Sequence, residues 1–377
     1  MVYLDNAATT PVNPAALRAA WPWLTEEFGN PSSTHELGQR ASDALEDARA
    51  RVAAWLDCRA SEVVFTSGGT ESDNLGITGL ALANPRGRHI ISAKTEHEAV
   101  IETIDYLTRF HEFEVTWLPV DHFGVIAEAD FVAALRGDTT LVSLMLANNE
   151  IGTLHPIARF AELTHEVGAA FHTDAVQAAG WLDTRISTIG ADALALSGHK
   201  IGAPKGSGLA YLRGRLAVEP LMHGGGQENG RRSGTENVAW AIAIATAIEA
   251  LPNFAEEQPR VQELRDEFIR EVLKSVPSAT LTGHPSSRLP NIASFCFEGV
   301  SGEAVLLELE RRGVIVSSGS ACAAGSNEPS HVLIACGFDA ELAQTAVRFS
   351  FSHLTSQEEL QQAAAALRES IAAVSSI

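Results

Sequence analysis

The stretch Ala-Leu-Ala-Leu-Ser-Gly-His-Lys, Ala193 to Lys200, decides how this chain reads. An apolar, strand-like run stops at a Ser-Gly-His turn, and the turn delivers one lysine. A second run, Ala169-Ala-Phe-His-Thr-Asp-Ala-Val-Gln177, delivers Asp174 and Gln177 in the same way. In a parallel sheet flanked by helices, both strand ends open onto the crevice where ligands bind. A lysine there, with an acid to pair with a pyridinium nitrogen, is the minimal set for a pyridoxal phosphate Schiff base. A lone lysine after a strand is an ordinary surface residue, so the weight falls on its companions.

The pattern extends outward from these two runs. Glu62 to Thr66, His89 to Ser92, Phe113 to Trp117, Leu141 to Met145, Ala169 to Phe171, Ala191 to Leu196 and Gly208 to Leu212 all read as strands. Candidate helices lie between several of them, at Ala41 to Leu56, Glu128 to Leu135 and Ile157 to Val167. Such alternation predicts βαβ units and a mostly parallel sheet. Near residues 250–259 the pattern changes. A charged helix (Gln262 to Lys274) leads into strands at Ile292 to Phe297 and Val314 to Val316, and an amphipathic helix spans Gln357 to Val374. This second part reads as a smaller α+β domain onto which the N-terminal segment folds back.

At 377 residues the chain is long enough for a large core divided between two domains. Its 45% hydrophobic and 20% charged residues describe an ordinary globular protein, and a formal net charge of -20 argues against a nucleic-acid surface. Cys58, Cys296, Cys322 and Cys336 show neither Cys-x-x-Cys nor zinc spacing, so no metal site is expected. The opening Met-Val-Tyr-Leu-Asp lacks the features of a secretory signal, and the expectation is a cytoplasmic protein with reduced thiols. Val238 to Leu251, interrupted by Thr246 and Glu249, is too short for a membrane span and reads as a buried, Ala-rich helix.

Thr66-Ser-Gly-Gly-Thr-Glu-Ser72 follows a strand and opens a helix, which suits either a phosphate or a plain helix cap. It matches neither the P-loop nor Gly-x-Gly-x-x-Gly. Lys94-Thr-Glu-His97 sets an imidazole near the sheet edge, and Leu146-Ala-Asn-Asn-Glu150 sets an amide pair there. Both also suit ordinary turns. Met222-His-Gly-Gly-Gly226 resembles an oxyanion loop, but the chain has no Gly-x-Ser-x-Gly elbow, which excludes a serine hydrolase. Gly230-Arg-Arg-Ser-Gly-Thr235 suits an anion or a subunit contact. Cys322, in Val316-Ser-Ser-Gly-Ser-Ala-Cys-Ala-Ala-Gly-Ser326, sits among small residues and reads as an accessible thiol on a loop, whereas the other three cysteines read as buried bystanders. Arg348, on the apolar run Ala346 to Ser350, suits a carboxylate held bidentately.

Together these segments resemble the class V aminotransferase superfamily, and within it the cysteine desulfurases. The likeness runs from Tyr3-Leu-Asp-Asn-Ala-Ala-Thr-Thr-Pro11 through Phe28-Gly-Asn-Pro31 to Arg348-Phe-Ser350. Ser317-Ser-Gly-Ser-Ala-Cys322 is similar to the subgroup with the longer cysteine loop. The resemblance implies the α/β, fold type I architecture of pyridoxal phosphate-dependent transferases, with a mostly parallel seven-stranded sheet. Residues 15–255 would form the large cofactor-binding domain, and residues 1–14 with 256–377 the small domain carrying Cys322. It further implies a Schiff base on Lys200, Asp174 on the pyridinium nitrogen, Gln177 on the ring hydroxyl, and Asn149 along the cofactor's edge. His97 would stack on the ring and move protons. Gly69, Thr70, Ser197 and His199 would hold the phosphate, joined by Thr235 from the partner of a homodimer. Asn30 and Arg348 would bind the substrate carboxylate, and Cys322 would take sulfur from L-cysteine as a persulfide, releasing L-alanine. An iron-sulfur scaffold or a tRNA-thiolation enzyme would then accept the sulfur. Selenocysteine cleavage or another class V reaction is the alternative. Ile201-Gly-Ala-Pro-Lys-Gly206 and Asn229 depart from the usual pattern without touching this chemistry.

Overall fold

A computed structural model describes residues 1–84, 86–319 and 328–375. β1 (Val2–Tyr3) opens the chain, followed by β2 (Val63–Thr66), β3 (His89–Ala93), β4 (Glu114–Leu118), β5 (Thr139–Ser143), β6 (Ala170–Asp174), β7 (Ala193–Ser197) and β8 (Gly208–Leu212). β9 (Ala279–Leu281), β10 (Ile292–Phe297), β11 (Val314–Ile315) and β12 (Val347–Ser350) come after. β2 to β8 form one sheet in the order β2-β8-β7-β6-β5-β3-β4. β8 pairs antiparallel with both β2 and β7, and every other pairing is parallel.

The central strands are buried along their whole length; β7 accordingly reads as an apolar run up to Ser197, while β5 and β6 also bury polar side chains such as Thr139, Thr140, His172 and Thr173. Successive side chains divide between two cores. Leu141, Ala170 and Ala193 join Leu75, Leu80, Val100 and Ile104 from the helices Gly69–Ala83 and Glu98–His111. Their neighbours Val142, Phe171 and Leu194 join the core on the opposite face, with the helices Glu36–Leu56, Ile157–Glu166 and Val238–Glu249. Each large apolar side chain so buried contributes roughly 1.5–3 kcal/mol. Val238–Glu249 is the buried, Ala-rich helix expected from its sequence, and among the described residues no single helix is long and apolar enough to cross a membrane.

β10 lies between β9 and β12 in an antiparallel sheet, and β1 pairs in parallel with β11. The helices Phe254–Ser275 and Gln357–Ser375 pack together, the former also against β9 and β10. Several boundaries differ from expectation by one to a few residues, and two of the differences have a visible cause. β5 begins two residues earlier and ends at Ser143, because the Met145 N–H turns away to the Glu96 carboxyl at 2.9 Å. The helix expected from Gln262 starts at Phe254, where Asn253 caps it, and runs through Pro259.

Candidate active site

Parallel pairing carries the ends of β3, β5, β6 and β7 to one edge of the sheet. There the following turns surround a cleft of about 620 Å³. Of the residues expected from sequence, Gly69, Thr70, His97, Asn149, Asp174, Gln177, Ser197, His199, Lys200 and Arg348 line it.

Lys200 closes the single turn Gly198–Lys200 that follows β7. Its Nζ donates to the carbonyl of Ala8 at 2.8 Å and to that of Ala7, so the N-terminal segment holds the amine at the cleft. Gln177 Nε2 donates to the same Ala7 carbonyl at 2.9 Å. Asp174, the last residue of β6, accepts the Val176 N–H at 2.8 Å. Burial pushes its carboxyl pKa up, opposed by the nearby His97 and Lys200. A cation brought to Asp174 therefore relieves a cost already present. His97 caps the helix Glu98–His111, its Nδ1 accepting the Ala99 N–H at 3.0 Å, so in the neutral ring Nε2 carries the proton.

Opposite these groups lies the start of the helix Gly69–Ala83, whose first amides and dipole favour an anion. Its approach to β7 is tight, since a Cβ on Gly69 would lie 2.9 Å from Val176 Cγ2 and 3.4 Å from Ser197 Cβ. A Cβ on Gly208 of β8 would lie 2.5 Å from Gly68 Cα, so the turn needs glycine on the neighbouring strand as well. His199 Nδ1 is 3.1 Å from Thr9 Oγ1, and burial, with Lys200 and Lys205, lowers its pKa to about 4, leaving it a neutral hydrogen-bonding group.

Arg348 is 1% exposed. Its Nη2 donates to Asp5 at 3.0 Å, and Nη1 to the carbonyls of Asn149 and Gly319 at 2.9 and 3.2 Å. Its Nε and the side-chain oxygen of Asn149 are buried with no hydrogen-bond partner among the described residues. The arginine is thus already oriented by Asp5 while keeping unused hydrogen-bonding capacity next to Asn149.

Two expected residues stand apart. Asn30 is exposed and absent from the cleft lining, its side-chain oxygen instead accepting the Ser32 N–H at 2.9 Å in the turn before Glu36–Leu56. Thr235 is exposed and does not line the cleft of its own chain. Arg231 and Arg232 beside it are engaged, Arg232 with Glu71 at 2.9 Å and Arg231 with the carbonyls of Ser61 and Leu212. Cys322 lies outside the described residues. The other thiols have pKa values pushed up by burial to about 12, although Cys58 is half-buried rather than buried as expected.

Asp73, Glu150, Lys205 and His331 also line the cleft and were not singled out from the sequence. Glu150 accepts the Ser330 hydroxyl at 2.5 Å, and burial raises its pKa. A detectable signal existed for two of them. Glu150 ends the quoted Asn-Asn motif, and Asp73 follows the quoted Gly-Gly-Thr-Glu-Ser motif directly. Among the described residues no cluster of His, Cys, Asp and Glu is arranged to hold a metal ion.

The family model for aminotransferase class-V matches residues 2–363. A relative from Dictyoglomus turgidum named cysteine desulfurase IscS is 47% identical over 361 residues, 95% of this chain and 91% of its own. A solved NifS-like protein superposes with a TM-score of 0.91 at 34% identity, covering 98% of this chain and 99% of its own. The solved structure of SspA in complex with cysteine gives 0.82 at 34% identity, over 93% of this chain and 99% of its own. By the reach of the family model and of these likenesses, the chain belongs to the aminotransferase class-V family.

Proposed function

We propose that this chain is a pyridoxal phosphate-dependent cysteine desulfurase that converts L-cysteine to L-alanine and passes the sulfur to Cys322. The observation that carries this reading is the convergence of Lys200, Asp174, Asn149 and Arg348 on one cleft, facing the start of the helix Gly69–Ala83. The residues fit the cofactor. Asp174 is a buried acid in want of a cation, the Asn149 oxygen lacks a partner, and Gly69 leaves room where a side chain would crowd the turn.

Bound there, pyridoxal phosphate supplies an electron sink for the substrate's α-carbon. Lys200 would anchor it through Nζ and, once displaced by substrate, carry the α-proton away and back. Asp174 would keep the proton on the ring nitrogen, with Gln177 on the ring hydroxyl. Gly69, Thr70, Ser197 and His199 would hold the phosphate, and His97 would cover the ring. Arg348, held by Asp5, would take the substrate carboxylate beside Asn149. The Cys322 thiolate would attack the substrate sulfur. One sulfur-sulfur bond forms as the carbon-sulfur bond breaks, Cβ gains a proton, and L-alanine leaves.

Because Thr235 does not line its own chain's cleft, the reading includes a homodimer in which it reaches the partner's phosphate site. It also includes a sulfur-accepting protein, an iron-sulfur scaffold or a tRNA-thiolation enzyme, and a cytoplasmic setting that returns Cys322 to its reduced form. The test mixes protein and pyridoxal phosphate with L-cysteine and a reductant, assaying sulfide and alanine, with Cys322→Ala alongside. Equal amounts from wild type and a loss of about a hundredfold or more in the variant are expected, the order seen when a catalytic nucleophile is removed. Alanine formed equally well by the variant would sink the assignment of Cys322.

A further inference from the structure

The floor beneath Asp174 holds buried titratable groups to which the proposed reaction assigns no role. Asp73, on the helix Gly69–Ala83, is 1% exposed and lines the cleft beside Asp174. His172, two residues before Asp174 on β6, is fully buried. Alternation along a strand sends the side chains of His172 and Asp174 to the same face of the sheet. That is the face the helix Gly69–Ala83 covers.

Asp73 Oδ1 lies 3.5 Å from His172 Nε2, and neither atom has a hydrogen-bond partner among the described residues. On the other side of the ring, His172 Nδ1 is 2.8 Å from Ser143 Oγ. A Cβ on Gly76 would lie 2.6 Å from His172 Cδ2, so the helix is pressed onto the imidazole and the ring has no room to turn away.

A buried carboxylate facing an unprotonated imidazole nitrogen would leave two acceptors opposed and a charge without a counterion, a costly arrangement. One proton between them satisfies both atoms. With Nδ1 keeping its own proton for Ser143 Oγ, the pair is net neutral wherever the shared proton sits, as a carboxylic acid beside an imidazole or as a carboxylate beside an imidazolium. Burial, with Asp174 and Glu96 close by, drives the Asp73 carboxyl pKa well up, and burial holds His172 at about 3. Glu96 is also buried, accepts the Met145 N–H through Oε1, and is pushed up by the same cause. His97 and Lys200 are the cationic or protonatable groups acting on Asp174.

Resting on the cofactor reading above, we propose that Asp73 is a positioning residue for Asp174. Asp73 and His172 share one proton as a net-neutral pair, which locks the helix Gly69–Ala83 against β6. The pair leaves Asp174 as the negative charge presented to the ring nitrogen.

The test titrates the absorption of protein-bound pyridoxal phosphate against pH and measures the cofactor's dissociation constant, in wild type, Asp73→Asn and Asp73→Leu. The Asn variant keeps the shape, can donate to Nε2 and removes no net charge, so its titration midpoint and affinity should match wild type. The Leu variant leaves Nε2 unpaired and should bind the cofactor about tenfold more weakly, the size of one lost buried hydrogen bond. A midpoint moved by about one pH unit or more in Asp73→Asn would show a net charge on the Asp73–His172 pair and overturn the proposal. Equal weakening in both variants, or none in Leu, would also overturn it, because a positioning hydrogen bond must be rescued by Asn. If the Leu variant does not fold, the Asn titration decides. Wild-type protein that takes up no pyridoxal phosphate would overturn the cofactor reading and this inference with it, an outcome distinct from all the others.

Discussion

Lys200 and Lys205 both line the cleft, five residues apart, but only Lys200 is held at the N-terminal carbonyls. Reducing the cofactor-loaded protein with borohydride and mapping the peptides should therefore find the pyridoxyl group on Lys200. Finding it on Lys205, or on no lysine, would contradict the site. The residues legible in sequence share a simple cause, since each stands where an apolar run ends and a parallel sheet must open. Asp73 was legible only through its neighbours, and His331 was not legible at all. Asp73 sits one residue past the phosphate-type turn, on what reads as an ordinary helix, and His331 reaches the cleft only because the later segment returns to it, donating through Nε2 to the Glu96 carbonyl at 2.9 Å. Asn30 presents the opposite case. Its motif was visible, but its side chain is occupied with a turn.

At the scale of elements, the helix Glu36–Leu56 is tied to the segment around Glu228 by a buried ion pair. Arg49 donates to both oxygens of Glu228, at 2.6 and 3.1 Å, and to the Val63 carbonyl of β2 at 2.9 Å. Both side chains are nearly inaccessible, at 4% and 2%. Arg49→Met leaves the Glu228 carboxylate buried without its counterion, and should cost about 3–5 kcal/mol, read as a fall in the denaturant midpoint. Much of that should return in Arg49→Met with Glu228→Leu, where no charge is stranded. A single variant as stable as wild type would contradict the account of this joint. Strands and helices were largely legible because period and length report burial directly. The pairing partner of Arg49 was not, because 179 residues separate the two and no local period links them.

At the scale of the whole molecule, the N-terminal segment joins the second sheet to the cleft. Asn6 Nδ2 and the Ala7 N–H bond to Ser350 of β12, Asp5 holds Arg348, and the Ala7 and Ala8 carbonyls hold Lys200. Tyr3-Leu-Asp-Asn-Ala-Ala could be recognised by resemblance, but its period carries no hint of this bridging, because backbone carbonyls leave no trace in residue type. On the proposed reading the cleft delivers sulfur to Cys322. The most direct measurement incubates cofactor-loaded protein with L-cysteine, without reductant, and weighs the peptide bearing each cysteine. The account predicts one added sulfur atom on Cys322, with one L-alanine released for each persulfide formed. Alanine released with no sulfur on Cys322, or the added sulfur found on Cys58, Cys296 or Cys336, would contradict it.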